Sequence, residues 1–240
     1  MNKQRAQQKP LELINKSKYL NQGYEMLDEL IKIHISIKHQ VDFNIKDNQL
    51  AVYLILGGMI SCASRSLYAL QYGNSESHAQ LQRLLAEAMD LANFFCETSG
   101  NSRQVKQWFN GRIISREPGN KGNLTVNQRA KLLNTEELAI RNMDDTVKTA
   151  NDVLSPYMHP SYTLVTATFD NEINSFRYYA QRQVIFTEDE ISGKSRLIIH
   201  SVLTAFGIAL VTLFPLSNTR SLERIGSFTE ELYPEAFVTS

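Results

Sequence analysis

Residues 197–216, with the sequence LIIHSVLTAFGIALVTLFPL, carry no Asp, Glu, Lys or Arg side chain. A helix that is apolar around its whole circumference lies either in the centre of a helical bundle or across a membrane. Polar side chains interrupt this run, and no second clear span accompanies it. We therefore predict a buried core helix in a soluble protein with no membrane segment. We expect His200, within the run, to bond a nearby hydroxyl such as that of Ser201 or Thr204.

Helical periodicity dominates the rest of the chain, which predicts an all-α bundle of about seven helices. Apolar residues at helical spacing, together with capping signals such as TEDE at 187–190, set the boundaries. The predicted helices span about 11–39, 47–72, 77–100, 126–134, 136–154, 187–214 and 218–232. Residues 163–186 are rich in β-branched side chains, but no other stretch offers a matching strand, so this segment is also predicted as helix.

The composition limits the class of protein and its compartment. The chain has 240 residues, which fits one helical domain over 1–240 with loose termini at 1–9 and 234–240. It has 25 basic and 25 acidic side chains, so any attraction to nucleic acid or to a membrane must come from a local patch. Cys62 and Cys96 stand alone with no metal-binding spacing, which indicates a reduced, cytoplasmic protein.

The turn SPYMHPSY, at 155–162, places His159 between two prolines. Pro156 and Pro160 restrict the backbone on both sides, so the turn would hold the ring in a defined direction. A histidine held in this way can act as an acid or a base near neutral pH. The alternative is a helix stop in which the ring bonds only a backbone carbonyl.

Three charged residues, Arg83, Glu87 and Asp90, fall on one face of the helix predicted over 77–100. Arg65 lies in a helix that is otherwise apolar or small, and a buried arginine needs a carboxylate partner. Glu87 or Asp90 could supply that carboxylate, and His159 could complete a polar pocket. The alternative is an ordinary solvated face that contributes a few tenths of a kcal/mol.

The segment 98–124 is rich in Gly, Asn and Ser, and we predict a flexible basic connector there. Basic side chains interleaved with aromatic rings suit the backbone and the unstacked bases of RNA. The candidate RNA-binding residues are Arg103, Lys106, Trp108, Arg112 and Arg116. The alternative is a basic loop that binds no nucleic acid.

Sequence signatures of nucleotide-binding loops, zinc proteases and serine hydrolases are missing. Glu87 and Asp90 are the nearest approach to a carboxylate metal site, and two residues do not make a metal prediction. We therefore expect neither a cofactor nor a metal.

The stretch RLLAEAMDLANFF at 83–95, followed by VLSPYMHPSY at 153–162, resembles a group of uncharacterised bacterial helical proteins. Proteins of that group share an Arg-x-x-x-Glu-x-x-Asp helix and a later Leu-Ser-x-x-x-His-Pro-Ser turn. The arrangement is more distantly similar to HEPN-type bundles, many of which are RNases of toxin–antitoxin and phage-defence systems. Their usual Arg-x4–6-His motif is absent here, and the nearest pair is Arg196 and His200.

The resemblance implies a HEPN-like dimer that acts in bacterial defence or stress. The leading hypothesis is a metal-independent RNase in which His159 is the acid or base and Arg65 or Arg83 binds phosphate. Glu87 and Asp90 would orient those cations. The alternative is a non-catalytic module that binds RNA or a partner protein from the same operon.

Overall fold

The structure is a computed structural model that describes residues 17–97, 102–112, 169–170, 175–176, 186–215 and 219–232. Over these residues the chain is mostly helical, which confirms the predicted helical architecture. The helices are α1 (Lys18–Ile37), α2 (Asn48–Gln71), α3 (Ser75–Glu97), α4 (Arg103–Phe109), α5 (Glu188–Thr212) and α6 (Thr219–Leu232), with a short 3-10 helix at Lys38–Gln40. The predicted helices at 126–134 and 136–154, and both predicted loose termini, lie outside the described residues.

The prediction of helix over 163–186 is wrong at the residues that the structure describes there. Phe169–Asp170 forms a strand, β1, which pairs antiparallel with Ser175–Phe176, β2. Phe169 lies opposite Phe176, and Asp170 lies opposite Ser175. The pairing partner lies a few residues further along the same stretch, and not elsewhere in the chain. The β-branched content of this stretch was therefore the better guide.

Side-chain caps begin the two most apolar helices. The carboxylate of Asp47 accepts a hydrogen bond from the backbone amide of Leu50 at 2.9 Å, at the start of α2. The predicted capping box at the start of α5 is confirmed. The hydroxyl of Thr187 accepts from the amide of Glu190, and the carboxylate of Glu190 accepts from the amide of Thr187. Each cap satisfies helix amides that would otherwise lack a partner.

The centre of the bundle is α2, which packs against α1, α3 and α5. By length and composition α2 and α5 could each cross a membrane, so the expectation that the run at 197–216 has no second candidate span beside it is wrong. Within their most apolar windows, 67% of α2 and 61% of α5 are buried inside the structure. Such burial is typical of the core helices of a soluble bundle, and the same length and composition also suit a membrane span. The expectation of a soluble protein therefore stays a prediction.

Hydrogen bonds between helices define the two ends of the bundle. At one end, Gln49 donates to the carbonyl of Leu213 at 2.8 Å, and Asn48 donates to the carbonyl of Phe95 at 3.2 Å. The start of α2 therefore lies beside the ends of α3 and α5, and we call this the Asn48 end. At the opposite end, the hydroxyl of Ser17 donates to Glu188 at 3.0 Å, which joins the starts of α1 and α5. We call this the Ser17 end.

Two adjacent glycines in α2 lie in different surroundings and offer a test of the packing. A Cβ atom on Gly57 would lie 3.1 Å from Cε1 of His34, whereas one on Gly58 would meet nothing within 4 Å. Alanine is favoured over glycine inside a helix by about 0.5–1 kcal/mol. We expect Gly58→Ala to stabilise the protein by about that amount. We expect Gly57→Ala to destabilise it, because the ring of His34, which bonds the carbonyl of Tyr53 at 2.9 Å, must move.

Chemical denaturation of both variants beside the wild type measures the two free energies of unfolding. The two substitutions have the same intrinsic propensity effect, so Gly58→Ala is the matched control. An equal gain in both variants would contradict the close packing of His34 on α2.

Candidate nucleic-acid-binding surface

Part of the predicted connector is a helix docked on the bundle at the Asn48 end. Helix α4 begins with Ser102, whose hydroxyl accepts from the amide of Val105 at 3.2 Å. Val105 is fully buried, and the ring of Trp108 packs edge-on against Phe95 with centroids 5.9 Å apart. The prediction of a flexible connector is therefore wrong for α4, because two apolar side chains anchor it to the core. Gly111, with φ of 74°, follows the helix in a conformation that favours glycine.

Cationic side chains of this docked segment point into solvent. Arg103, Lys106 and Arg112 are exposed, and residues 102–112 contain no acidic residue. Lys46, from the loop before α2, adds a fourth exposed cation. Its Nζ atom lies 5.9 Å from the ring centroid of Phe109. The segments around 46 and 109 therefore form one continuous surface.

An exposed aromatic ring extends the same surface. Phe43 is 50% exposed, and its ring packs edge-on against Tyr53 at a centroid distance of 5.7 Å. The Nζ atom of Lys38 lies 5.9 Å from the centroid of Phe43. The side chain of Phe43 is therefore half open to solvent and lies beside a cation. We call the set the basic–aromatic surface: Lys38, Phe43, Lys46, Arg103, Lys106 and Arg112.

The two carboxylates of the loop before α2 already have hydrogen-bond partners. The carboxylate of Asp47 caps α2. Asp42 accepts from the backbone amide of Asn44 at 2.9 Å and from its side-chain amide at 3.1 Å. Because both carboxylates serve the local backbone, their oxygens are partly satisfied. They reduce the positive potential of the surface without forming ion pairs with its lysines.

The candidate RNA-binding residues therefore have different environments. Arg103, Lys106 and Arg112 are exposed, as RNA contact requires. Trp108 is half-buried between Phe95 and Phe109, with the Phe109 centroid 5.1 Å away, so its ring mainly holds α4 in place. Arg116 lies outside the described residues. Phe43 and Lys46 were not predicted, because their segment was interpreted only as an interruption between two helices, and Lys38 was assigned to the end of the first helix.

Part of the charged face predicted for α3 is present in the structure. The Nε atom of Arg83 donates to Glu87 at 2.8 Å, and Asp90 lies half-buried one turn further along the helix. The ion pair is at the surface, with the side chain of Glu87 53% exposed. Such a pair contributes a few tenths of a kcal/mol and orients the guanidinium.

The predicted burial of Arg65 is wrong. Arg65 is exposed and shares an outward stripe of α2 with Leu54, Gly58, Ser61 and Tyr68. It forms no ion pair with any residue that the structure describes, so Glu87 and Asp90 do not neutralise it. The apolar composition of α2 suggested burial on all sides, whereas one stripe of this helix faces solvent. His159 lies outside the described residues.

A second polar cluster is enclosed where α2, α3 and α5 meet. Ser66, His78, Gln82 and Ser195 are all buried. The hydroxyl of Ser66 and Nδ1 of His78 are 3.1 Å apart, and Gln82 donates to the carbonyl of Leu197 at 3.5 Å. The sequence analysis missed this cluster, although His78 and Gln82 are four residues apart and so share one helix face.

Burial lowers the pKa of His78 to about 4, and the nearby charge of Lys194 acts in the same direction. The ring is therefore neutral at pH 7 and belongs to the core. His200 is half-buried, and its Nε2 lies 3.5 Å from the hydroxyl of Thr204, one of the two hydroxyl partners predicted for it. Burial lowers its pKa as well.

No family model matches this chain, and no curated protein or solved structure matches it. Among the described residues, no group of three or more His, Cys, Asp or Glu side chains could hold a metal ion. Functional inference therefore rests on the geometry and the chemistry of the chain itself.

Protonation of His78 gives a prediction for stability against pH. Its pKa is about 4 when folded, below the ordinary value of 6.5, so the unfolded state binds more protons between these two values. The free energy of unfolding should therefore fall by about 3 kcal/mol as the pH drops from 7 to 4. We expect His78→Asn to remove that part of the loss, since asparagine can still bond Ser66 but does not titrate.

Urea denaturation of the wild type and His78→Asn at several pH values measures the difference. The other histidines and the carboxylates contribute to both proteins alike, so the comparison isolates His78. Parallel stability curves in the two proteins would show that His78 is accessible to protons in the folded state.

Proposed function

We propose that this protein is a HEPN-like helical RNA-binding protein, and that its basic–aromatic surface contacts single-stranded RNA. The observation that carries the proposal is the cluster of exposed cations around Phe43 and α4 at the Asn48 end. Cations neutralise phosphates and release their counterions, and an exposed ring stacks on an unpaired base. Because the net charge of the chain is near zero, attraction to RNA must come from a local cluster such as this one.

Single-stranded RNA suits this surface better than a duplex does. The exposed ring of Phe43 offers a flat face that a base can stack on only when it has left its own stack. Helix α4 has seven residues and lies against the core, so it is poorly placed to enter a groove. We further propose that the protein acts as a homodimer in bacterial defence or stress. The distant similarity of the arrangement of the 83–95 and 153–162 stretches to HEPN-type bundles supports this role.

Substitution of the α4 cations tests RNA binding. We expect Arg103→Ala with Lys106→Ala to weaken binding of a short unstructured RNA. A plot of log affinity against log salt has a negative slope. We expect the double substitution to make this slope shallower by about 1.4, or about 0.7 for each lost phosphate contact. Lys18→Ala removes an exposed lysine at the Ser17 end and should change neither quantity.

Fluorescence anisotropy over a salt series measures the affinity and the slope. Phe43→Ala should weaken binding and leave the slope unchanged, because stacking involves no ion release. If the cation variants and Lys18→Ala bind equally well, the surface is not the RNA site.

A second candidate function, metal-independent RNA cleavage, is favoured by the ion pair on α3. Glu87 holds the guanidinium of Arg83 at the surface, in an orientation that a phosphate could use. At a rise of 1.5 Å per residue, Arg83 lies about 20 Å along α3 from its end at Glu97. An RNA bound at the basic–aromatic surface could span that distance with a few nucleotides. His159 would supply the proton transfer.

Cleavage of a labelled RNA in the presence of a chelator tests this candidate. We expect His159→Ala to reduce the rate on the order of 100-fold or more, since general acid–base catalysis commonly contributes that much. Arg83→Ala should also reduce it, whereas Lys18→Ala should not. Equal rates in His159→Ala and the wild type would remove His159 from the mechanism and leave the binding function standing.

A further inference from the structure

A polar groove with a volume of about 860 Å³ lies between α1 and α6. At the Ser17 end the two helices are joined by a hydrogen bond from Gln22 to Glu231 at 3.4 Å. The groove lies nearer the opposite end and is lined from α1 by Lys32 and from α6 by Arg220 and Arg224. Three cations from two helices therefore surround one open space.

The placement of these cations has an electrostatic cost. Arg220 and Arg224 are four residues apart on α6, where like charges repel each other, and Lys32 approaches from α1. The guanidinium of Arg224 also lies over the ring of Phe228, 4.4 Å from its centroid, which fixes its position. An anion bound between the cations would relieve that repulsion.

Two carboxylates on described residues also line the groove and face these cations. Glu29 bonds Lys32, and this hydrogen bond, together with the charges of Lys32, Arg224 and Arg220, lowers the pKa of Glu29. Glu223 lies on α6 beside the arginines. Among the lining residues that the structure describes, three side chains carry a positive formal charge and two carry a negative one. Glu29 is therefore an internal anion that a ligand would have to compete with.

We propose that this groove binds a phosphate-dense ligand, either diphosphate or the diphosphate group of a nucleotide. Arginine offers paired N–H donors that match two phosphate oxygens, and the two arginines could each bind one phosphate. Ser221 adds a hydroxyl at the same wall, whereas Ser36 and Ser227 donate to helix carbonyls.

Recognition in this groove is limited to the phosphates. The ring of Phe228 is 2% exposed and is covered by Arg224, so it offers no face to a base. The binding site therefore differs from the basic–aromatic surface, where an exposed ring accompanies the cations. ADP and inorganic diphosphate should bind with similar affinity, and adenosine should not bind.

Calorimetric titration of inorganic diphosphate at constant ionic strength tests the proposal. We expect Arg220→Gln with Arg224→Gln to weaken binding at least about 10-fold, and Lys32→Gln to weaken it from the other helix. Glu29→Gln should strengthen binding, because the competing carboxylate is lost. The matched control for Lys32→Gln is Lys18→Gln, which removes an exposed lysine at the Ser17 end, outside both proposed sites, and should bind as the wild type does.

Several outcomes would overturn the proposal. These are no binding of diphosphate by the wild type, equal binding by the groove variants, or sulfate binding as tightly as diphosphate. Circular dichroism checks that each variant is folded, and Lys32→Gln leaves the contact of Arg224 with Phe228 intact. The RNA titration is independent of this result. Loss of RNA binding only in the α4 variants, with diphosphate binding lost only in the groove variants, would support both sites.

Discussion

Burial of α2 is the constraint on which the rest of the fold depends. This helix has apolar or small side chains over most of its circumference, so α1, α3 and α5 must each present an apolar stripe to it. Close approach of α1 requires the missing side chain of Gly57, because the ring of His34 occupies that space. One stripe of α2 remains in contact with water, and it carries Arg65. The same helix therefore organises the core and presents a surface.

Local signals in the sequence predicted where the described helices lie. They did not predict which side of each helix faces the solvent. The caps at Asp47 and Thr187 depend on neighbouring residues alone, so the starts of α2 and α5 could be located from the sequence. A helix that is apolar nearly all round gives no periodic signal for the side that faces solvent, so Arg65 was wrongly placed in the interior. The pairing of Ser66 with His78 joins two helices, and no spacing within either helix indicates it.

The basic–aromatic surface shows why the candidate site was only half predictable. Helices α2 and α3 have 24 and 23 residues, so the chain returns after α3 to the end from which α2 began. Because the two helices are nearly equal in length, Lys46 lies beside Phe109, although more than sixty positions separate them in the sequence. The cations of α4 were recognised from composition alone. Their partners in the loop before α2 become visible only when the lengths of the two helices are compared.

Net charge is a poor guide to binding in this chain because many of its carboxylates have structural partners. Asp47 and Glu190 accept hydrogen bonds from helix amides, Asp42 serves a loop amide, and Glu87 bonds an arginine within its own helix. Cations on α4 have no acidic neighbours within residues 102–112. A carboxylate held by a helix amide has part of its charge offset by that dipole. Equal totals of acids and bases therefore coexist with a local cluster of exposed cations on the described residues at the Asn48 end.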